Sequence, residues 1–210
     1  MAAKLIKPFI IFVHMEENEK KTEIHPLAPF FPARAKLLMM GSFPPKRERW
    51  KMDFYYPNFQ NDMWRIFGLV FFENKDYFLT GDKKSFCEQR IRSFLTEKGI
   101  ALTDSGREVV RLKDNASDKF LEIVRTIDLE EALAQLPDCV AIVTTGQKAT
   151  DTLLTLIDAV EPKVGTYAEF VFQNRRMRLY RMPSSSRAYP KPLPEKALDY
   201  KKMFHELGMM

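Results

Sequence analysis

The apolar positions of the chain form two kinds of pattern, short continuous runs and longer segments with a helical repeat. The continuous runs are typical of buried strands and lie at residues 35–40 (AKLLMM), 100–103 (IALT) and 139–146 (CVAIVTTG). Residues 167–172 and 178–182 alternate on either side of QNRR, which predicts a β-hairpin.

Helical segments separate these predicted strands. Helices are predicted at residues 61–72, 84–98, 129–136 and 147–160, and from Leu193 towards the C-terminus. Asn61 or Gln60 is placed to cap the first helix, and Gly99 is placed to end the second. Strands that alternate with helices indicate an α/β fold, a three-layer α/β/α sandwich with a central, mostly parallel sheet.

The N-terminal residues do not share this regular pattern. The apolar run PFIIFV is too short for a signal peptide, and the charged run EENEKK follows it. We expect residues 1–24 to be a poorly ordered extension, with residues 1–14 outside the fold. Residues 25–210 are predicted to form a single domain, since 210 residues with 45% hydrophobic content suffice for one core.

The residue composition excludes several classes of protein. Cys87 and Cys139 have no paired spacing, which argues against a disulfide scaffold or an iron–sulfur cluster and for a reducing, cytoplasmic compartment. The three histidines are far apart in sequence, so we expect neither a metal nor a cofactor. No apolar run approaches a membrane span, and we expect a monomer without membrane contact. The formal charge of +5 suits an anionic partner.

Four loops are expected to meet at one edge of the sheet, because each follows the carboxyl end of a strand. They are Gly41-Ser42-Phe43, Thr103-Asp104, Thr144-Thr145-Gly146 and Pro183-Ser184-Ser185-Ser186. Ligands of parallel sheets bind beyond these strand ends. The basic runs KRERWK (46–51) and RRMR (175–178) fit either a binding surface or a solvated face.

Residues 54–64, FYYPNFQNDMW, combine five aromatic rings with three side-chain amides. Rings offer flat apolar faces and amides offer directed hydrogen bonds, a mixture that neither a core nor a solvated loop requires. The alternative is that the aromatic residues pack in the core while Asn58 and Asn61 cap the following helix. Trp64 is the residue of this segment most typical of a core.

The order of the motifs resembles the uracil-DNA glycosylase superfamily, and most of all its hypoxanthine-DNA and mismatch-specific branches. The matching segments are GSFPP, YYPNFQNDMW, GIALTD, VTTGQKA and MPSSS, with HPLAPFFP (25–32) similar to the lead-in of the hypoxanthine branch. The resemblance extends from His25 to Tyr200. It implies a uracil-DNA glycosylase-like fold and a DNA partner, either a damaged or mismatched duplex or a single strand.

The resemblance also implies roles for individual residues. Asn61 takes the catalytic position, at the asparagine that opens the helix in that family. Tyr56 takes the position of the aromatic that stacks on a flipped-out base. The implied base-binding residues are Gly41, Ser42, Phe43, Tyr56 and Asn58. The implied DNA-binding residues are Gly146, Lys148, Ser184, Ser185, Ser186, Arg187 and Tyr189, of which Arg187 and Tyr189 are the alternatives for filling the gap in the base stack.

Several positions depart from the family pattern. Phe43 stands where better-known branches carry an Asp or Asn that activates water, and Met182 stands where a His or Asn contacts the leaving base. The other departures are Asn58 and Phe59 in place of a His-Pro pair, and Thr103 in place of a tryptophan. Asn61 is therefore the residue that we expect to carry the main catalytic role.

The activity implied by the resemblance is that of a monofunctional DNA glycosylase that excises a deaminated or mismatched base, uracil or hypoxanthine. Asn61 would orient a water or hydrogen-bond the leaving base, while backbone N–H groups near residues 41–43 stabilise developing charge. The alternative is a catalytically silent nucleic-acid-binding module on the same fold, which Phe43 and Met182 favour.

Overall fold

The computed structural model describes residues 22–113 and 118–210 of the chain. The strands in these ranges are β1 (Thr22–Ile24), β2 (Leu37–Gly41), β3 (Ile100–Asp104), β4 (Gly106–Arg111), β5 (Leu121–Thr126), β6 (Ala141–Thr145), β7 (Thr166–Phe172) and β8 (Arg175–Met182). The α-helices are α1 (Met63–Phe72), α2 (Glu88–Lys98), α3 (Leu129–Ala134), α4 (Gln147–Leu154) and α5 (Leu193–Glu206).

Five of the strands form the central sheet, in the order β3-β2-β6-β8-β7. The first four run parallel, and β7 pairs antiparallel with β8 at the edge. The register places Gly41 beside Asp104 and Thr145 beside Met182, so these strands end almost level. The predicted strands, the hairpin and the mostly parallel sheet are confirmed.

Both faces of this sheet are covered, because its strands carry apolar side chains on either side. Leu37 and Met39 of β2 belong to a core shared with α1, α2 and α5. Leu38 and Met40 belong to a second core, shared with α3 and α4. Successive strand residues point to opposite faces, so a continuous apolar run is what a doubly covered strand requires. The result is the expected three-layer α/β/α sandwich.

Two helix boundaries differ from the sequence prediction. Helix α2 begins at Glu88 rather than at residue 84, because Leu79 and Phe86 form a β-bridge and Cys87 is extended. It ends as predicted at Gly99, whose φ of 68° favours glycine. Helix α4 ends at Leu154 rather than at residue 160. In the described ranges no helix has both the length and the apolar character needed to cross a bilayer.

A second, antiparallel sheet was not predicted. It has the order β1-β4-β5 and lies in the polar stretch after β3, where alternating half-exposed residues give only a weak strand signal. Its first strand corrects the expected extension, because residues 22–24 pair with β4 instead of lying outside the domain. Residues 1–21, and with them the rest of that prediction, lie outside the described residues.

Trp64 joins the loop before α1 to the larger core. Its side chain is 1% exposed, its ring packs against Phe54, Phe67 and Phe78, and its indole N–H donates to the Tyr55 carbonyl. Trp64→Ala should lower the free energy of unfolding by about 3–5 kcal/mol, because the surrounding rings cannot collapse into the cavity. Urea denaturation measures this loss.

The matched control is Tyr167→Ala, which removes a ring that is 39% exposed. It should cost far less stability. Equal losses for the two variants would contradict the placement of Trp64 at the centre of the core.

Candidate active site

A pocket of about 710 Å³ opens at the carboxyl edge of the central sheet. All four strand-end loops named from the sequence contribute to its wall, through Ser42, Asp104, Thr145 and Ser184 among others. The loop before α1 contributes Tyr56, Asn58 and Asn61. The expectation that these segments converge therefore holds in the structure.

The side chain of Asn61 lies at the start of α1 with its two ends in different surroundings. Its Oδ1 accepts a hydrogen bond from the N–H of Met63 at 2.9 Å, and its backbone N–H donates to the carbonyl of Asn58 at 2.8 Å. Asn61 is half-buried and lines the pocket. Because the carbonyl end already accepts a hydrogen bond from the helix, the amide N–H₂ is the end that we expect to meet a ligand.

Asn58 has a local role as well. Its Oδ1 accepts from the N–H of Gln60 at 2.9 Å, a turn that shapes the segment before the helix. It also pairs with Trp50 in an isolated β-bridge. Asn58 lines the pocket, but its side-chain oxygen is engaged within its own turn.

Tyr56 forms a fixed aromatic wall. Its hydroxyl lies 3.0 Å from Thr145 Oγ1, across the pocket floor on β6, and its ring meets Trp64 edge-on at 5.8 Å. Its φ is 52°, an unfavourable value for a residue with a large side chain. Strained backbone of this kind persists only where surrounding contacts impose it, and it clusters at functional sites.

The two apolar departures from the family pattern pack into the protein. Met182 is 1% exposed and belongs to the larger core. Phe43 is 9% exposed and packs with Val109 and Leu121 of the small sheet, although one side of it still lines the pocket. Neither side chain can form the hydrogen bonds that the corresponding family positions supply.

The serine loop, residues 184–186, is hydrogen-bonded to the start of α1. The Asp62 N–H donates to the Ser185 carbonyl at 2.9 Å, and Asn61 and Ser186 form an isolated β-bridge. The Oγ of Ser184 accepts from the N–H of Ser186 at 3.2 Å. Ser185 is 3% exposed, whereas Ser184 and Ser186 are half-buried. These bonds hold the serine loop and Asn61 in one fixed arrangement.

A charge cluster lies beside the serine loop, with Lys196 and Asp62 buried and Arg187 half exposed. Lys196 of α5 donates to the Ser186 carbonyl at 2.7 Å, and its Nζ lies 3.6 Å from Asp62 Oδ2. Arg187 Nε lies 3.0 Å from Asp62 Oδ1. Burial lowers the pKa of Lys196, and the Asp62 carboxylate partly opposes this shift. Arg187, a candidate for entering the base stack, is thus already paired with Asp62, and both Arg187 and Tyr189 line the pocket.

Two predicted DNA-binding residues lie beside the pocket and not in its wall. Gly146, with a φ of 116°, precedes α4 and approaches Ser184, whose Oγ would lie 3.8 Å from an added Cβ. Lys148 is half-buried on α4. The basic residues that do line the pocket are Arg49, Arg111, Lys119 and Arg187. Of these, only Arg187 was singled out as an individual DNA contact in the sequence analysis.

Sequence reasoning also missed the pairing of His25 with Asp104. The Nε2 atom of His25 lies 2.9 Å from Asp104 Oδ2, and both side chains are buried. The motifs that contain them were recognised, yet nothing in the sequence indicates that two residues 79 positions apart are in contact. Within the described ranges, no three His, Cys, Asp or Glu side chains cluster in a way that would hold a metal ion.

Comparison with known proteins shows a similarity in structure but none in sequence family. No protein-family model matches the sequence, and no curated protein matches it. Among solved structures, the chain is similar to the solution NMR structure of "a putative Uracil DNA glycosylase from Methanosarcina acetivorans". The TM-score is 0.58 at 20% sequence identity, covering 86% of this chain and 96% of that one. At this identity the similarity establishes the fold, which is that of a uracil-DNA glycosylase.

The buried hydroxyl of Tyr56 gives a pH-dependent prediction. Burial raises the pKa of Tyr56, and the Asp104 carboxylate raises it further, whereas a tyrosine of the unfolded chain ionises near pH 10. Above about pH 10 the unfolded state releases a proton that the folded state retains, so this contribution to stability falls as pH rises. Tyr56→Phe removes both the hydrogen bond and the titration.

At neutral pH, Tyr56→Phe should lower the free energy of unfolding by about 1 kcal/mol. This deficit should shrink between about pH 9 and pH 11, because only the wild-type protein loses stability through Tyr56. Urea denaturation across this range measures the difference, with the more exposed Tyr167→Phe as a control. A deficit that is independent of pH would contradict the buried placement of the hydroxyl.

Proposed function

We propose that the protein is a monofunctional DNA glycosylase, which flips a deaminated or mismatched base, uracil or hypoxanthine, into the pocket and hydrolyses its N-glycosidic bond. The observation that carries this proposal is the presence of the Tyr56 ring and the Asn61 amide in the wall of one pocket. A base needs a flat apolar surface and a few directed hydrogen bonds. The uracil-DNA glycosylase-like fold and the motif order are consistent with this function.

The surroundings of Asn61 favour one of its two possible chemical roles. Cleavage of an N-glycosidic bond passes through an oxocarbenium-like sugar, and negative charge builds on the departing base. With Oδ1 held by the N–H of Met63, the amide N–H₂ is free to donate to that developing charge. We therefore assign Asn61 to stabilising the leaving base rather than to activating water.

The basic residues of the pocket rim suit the phosphates on either side of the flipped nucleotide. Arg49 and Arg187 line the pocket and are exposed to solvent, whereas Arg111 in the same lining is paired with Glu23, and Ser184 and Ser186 belong to the same wall. Hydroxyl groups and guanidinium groups are common phosphate contacts in DNA complexes. The partner we propose is a damaged or mismatched duplex.

The second candidate is a catalytically silent DNA-binding module, which the packing of two residues favours. Met182 and Phe43 are both turned into apolar clusters, so the pocket lacks the polar side chains that these positions carry in the better-known branches. A binding module would need only the aromatic wall and the basic rim. The two candidates differ in whether the glycosidic bond is cut.

The deciding experiment is a single-turnover excision assay on duplexes that contain uracil, hypoxanthine or xanthine, with alkali to reveal abasic sites. The glycosylase should cut at least one lesion and leave the undamaged duplex intact. Asn61→Ala should lower the excision rate by about 10²–10³, the cost of losing one preorganised hydrogen bond to developing charge.

Asn61→Asp separates the two roles of this residue. An aspartate keeps the oxygen that caps Met63 but replaces the N–H₂ donor with a negative charge. If Asn61 stabilises the leaving base, Asn61→Asp should be at least as slow as Asn61→Ala while binding DNA and melting normally. A wild-type protein that binds DNA and cuts no lesion would instead support the silent module.

DNA binding should depend strongly on salt, since each neutralised phosphate releases counterions. Arg49 lines the pocket, whereas Arg47 is paired with Asp53 at 2.6 Å and lies over the Trp50 ring. Arg49→Glu should weaken binding to lesion and normal duplexes equally and reduce the slope of log Kd against log salt by about 1. Arg47→Glu is the matched control and should have the smaller effect.

Fluorescence anisotropy from low to moderate salt measures both quantities. An affinity that does not change with salt would contradict a DNA-binding role for this surface.

A further inference from the structure

Asp104 places a carboxylate in the pocket from the end of β3. The residue is 6% exposed, and it is one of the residues that line the pocket. Its Oδ2 is bonded to His25, so its Oδ1 is the oxygen left for another partner. Gly41 lies beside it in the neighbouring strand, and a Cβ on that residue would lie only 2.4 Å from Oδ1. Glycine at residue 41 therefore leaves the space that the carboxylate occupies.

His25 is held in a fixed orientation behind Asp104. Its Nδ1 accepts from the Leu27 N–H at 3.1 Å, which leaves the ring proton on Nε2 to be donated to Asp104 Oδ2 at 2.9 Å. Nδ1 also lies 2.9 Å from the Leu27 carbonyl oxygen, an acceptor that a protonated ring would use. The His25 backbone N–H is bound to the Arg107 carbonyl, so the main chain is fixed as well.

Hydrolysis of a glycosidic bond needs a group that accepts a proton from water, which an amide such as Asn61 cannot do. The carboxylates among the described pocket-lining residues are Asp104 and Asp118. Asp118 keeps more of its surface in contact with solvent, although desolvation raises its pKa, whereas Asp104 is buried beside Gly41 on the pocket floor and has an oriented partner. A buried carboxylate held by a histidine N–H is positioned and kept in one orientation, as general-base catalysis requires.

We propose that Asp104 is the catalytic base of this protein and that His25 is its positioning residue, an inference that rests on the glycosylase function proposed above. Water oxygen bonds to C1′ of the sugar while the C1′–N bond breaks and its electron pair leaves with the base. Asp104 Oδ1 takes one proton from the water, and the other stays on the new sugar hydroxyl. The proton on Asp104 then passes to solvent, and the departing base regains one, so that one water is consumed.

Asp104 lies close enough to two tyrosine hydroxyls to influence their ionisation. Burial raises the pKa of Tyr55 and of Tyr56, and the negative charge of Asp104 adds to the shift in both cases. In the proposed complex the Asp104 carboxylate would also face the sugar, on which positive charge develops in an oxocarbenium-like transition state. Asp104 would thus stabilise the sugar as well as activate the water.

The test is single-turnover excision by Asp104→Asn, which keeps the shape and the bond to His25 but removes the base. The rate should fall by about 10²–10⁴, while DNA affinity and melting temperature stay close to wild type. Asp138→Asn makes the same chemical change at a carboxylate that pairs with Arg34 outside the pocket, and it should cut at the wild-type rate. Added formate should restore part of the activity of Asp104→Ala, whereas chloride of equal ionic strength should not.

His25 has its own pair of variants, which also serves if Asp104→Asn does not fold. His25→Gln keeps a side-chain N–H donor, and His25→Phe keeps a ring without one. If His25 positions the carboxylate, His25→Gln should retain much more activity than His25→Phe. Equal activity of these two folded variants would overturn the positioning role.

The outcomes separate this inference from the proposed function. A wild-type protein that excises a lesion, together with a folded Asp104→Asn that excises it equally fast, would overturn the role of Asp104 and leave the glycosylase assignment intact. If Asp104→Asn is slow but also melts at a lower temperature, and if formate does not rescue Asp104→Ala, then Asp104 has a structural role and is not the base. A wild-type protein that cuts no lesion would contradict both the glycosylase function and the role of Asp104.

Discussion

The arrangement of the site depends on the buried carboxylate of Asp62. It lies at the start of α1, bonds Arg187 beyond the serine loop and lies 3.6 Å from Lys196 of α5, whose side chain is 1% exposed. Removing one member of a buried ion pair typically costs about 3–5 kcal/mol, because the other charge is left without compensation. Asn61 precedes Asp62 and forms a β-bridge with Ser186, whose carbonyl accepts from Lys196, so the contacts that join the two helices also fix the position of the proposed catalytic amide.

The central sheet determines where the pocket lies. Strands β2, β3 and β6 are apolar on both faces along most of their length, and their chemistry changes towards their carboxyl ends, which carry Gly41, Asp104 and Thr145. Since the register brings these ends level, one glycine, one carboxylate and one hydroxyl meet on the same floor. The polar groups at the strand ends therefore lie next to two hydrophobic cores, which meet β2 from its two faces.

The parts of the molecule that sequence could predict are those in which neighbouring residues carry the signal. The buried strands, the hairpin around residues 173–174 and the end of α2 at Gly99 follow from local patterns. The small sheet was missed because β4 and β5 alternate only weakly and because β4 pairs with β1 across a long separation in sequence. The contact of His25 with Asp104 depends on that same pairing, which fixes His25 through the Arg107 carbonyl, so a local pattern cannot reveal it.

Phe43 has a different significance once this contact is taken into account. Its ring meets the His25 ring edge-on at 5.0 Å and packs with Val109 and Leu121 of the small sheet. An apolar ring at this position provides no hydrogen bond to a substrate, but it covers the His25 side of the His25–Asp104 pair. A hydrogen bond in surroundings of low dielectric constant is stronger than one in water. The apolar Phe43 in the Gly41-Ser42-Phe43 loop and the buried carboxylate at the end of β3 thus belong to one arrangement. The small sheet takes part in building this site, because it packs against Phe43 and fixes His25.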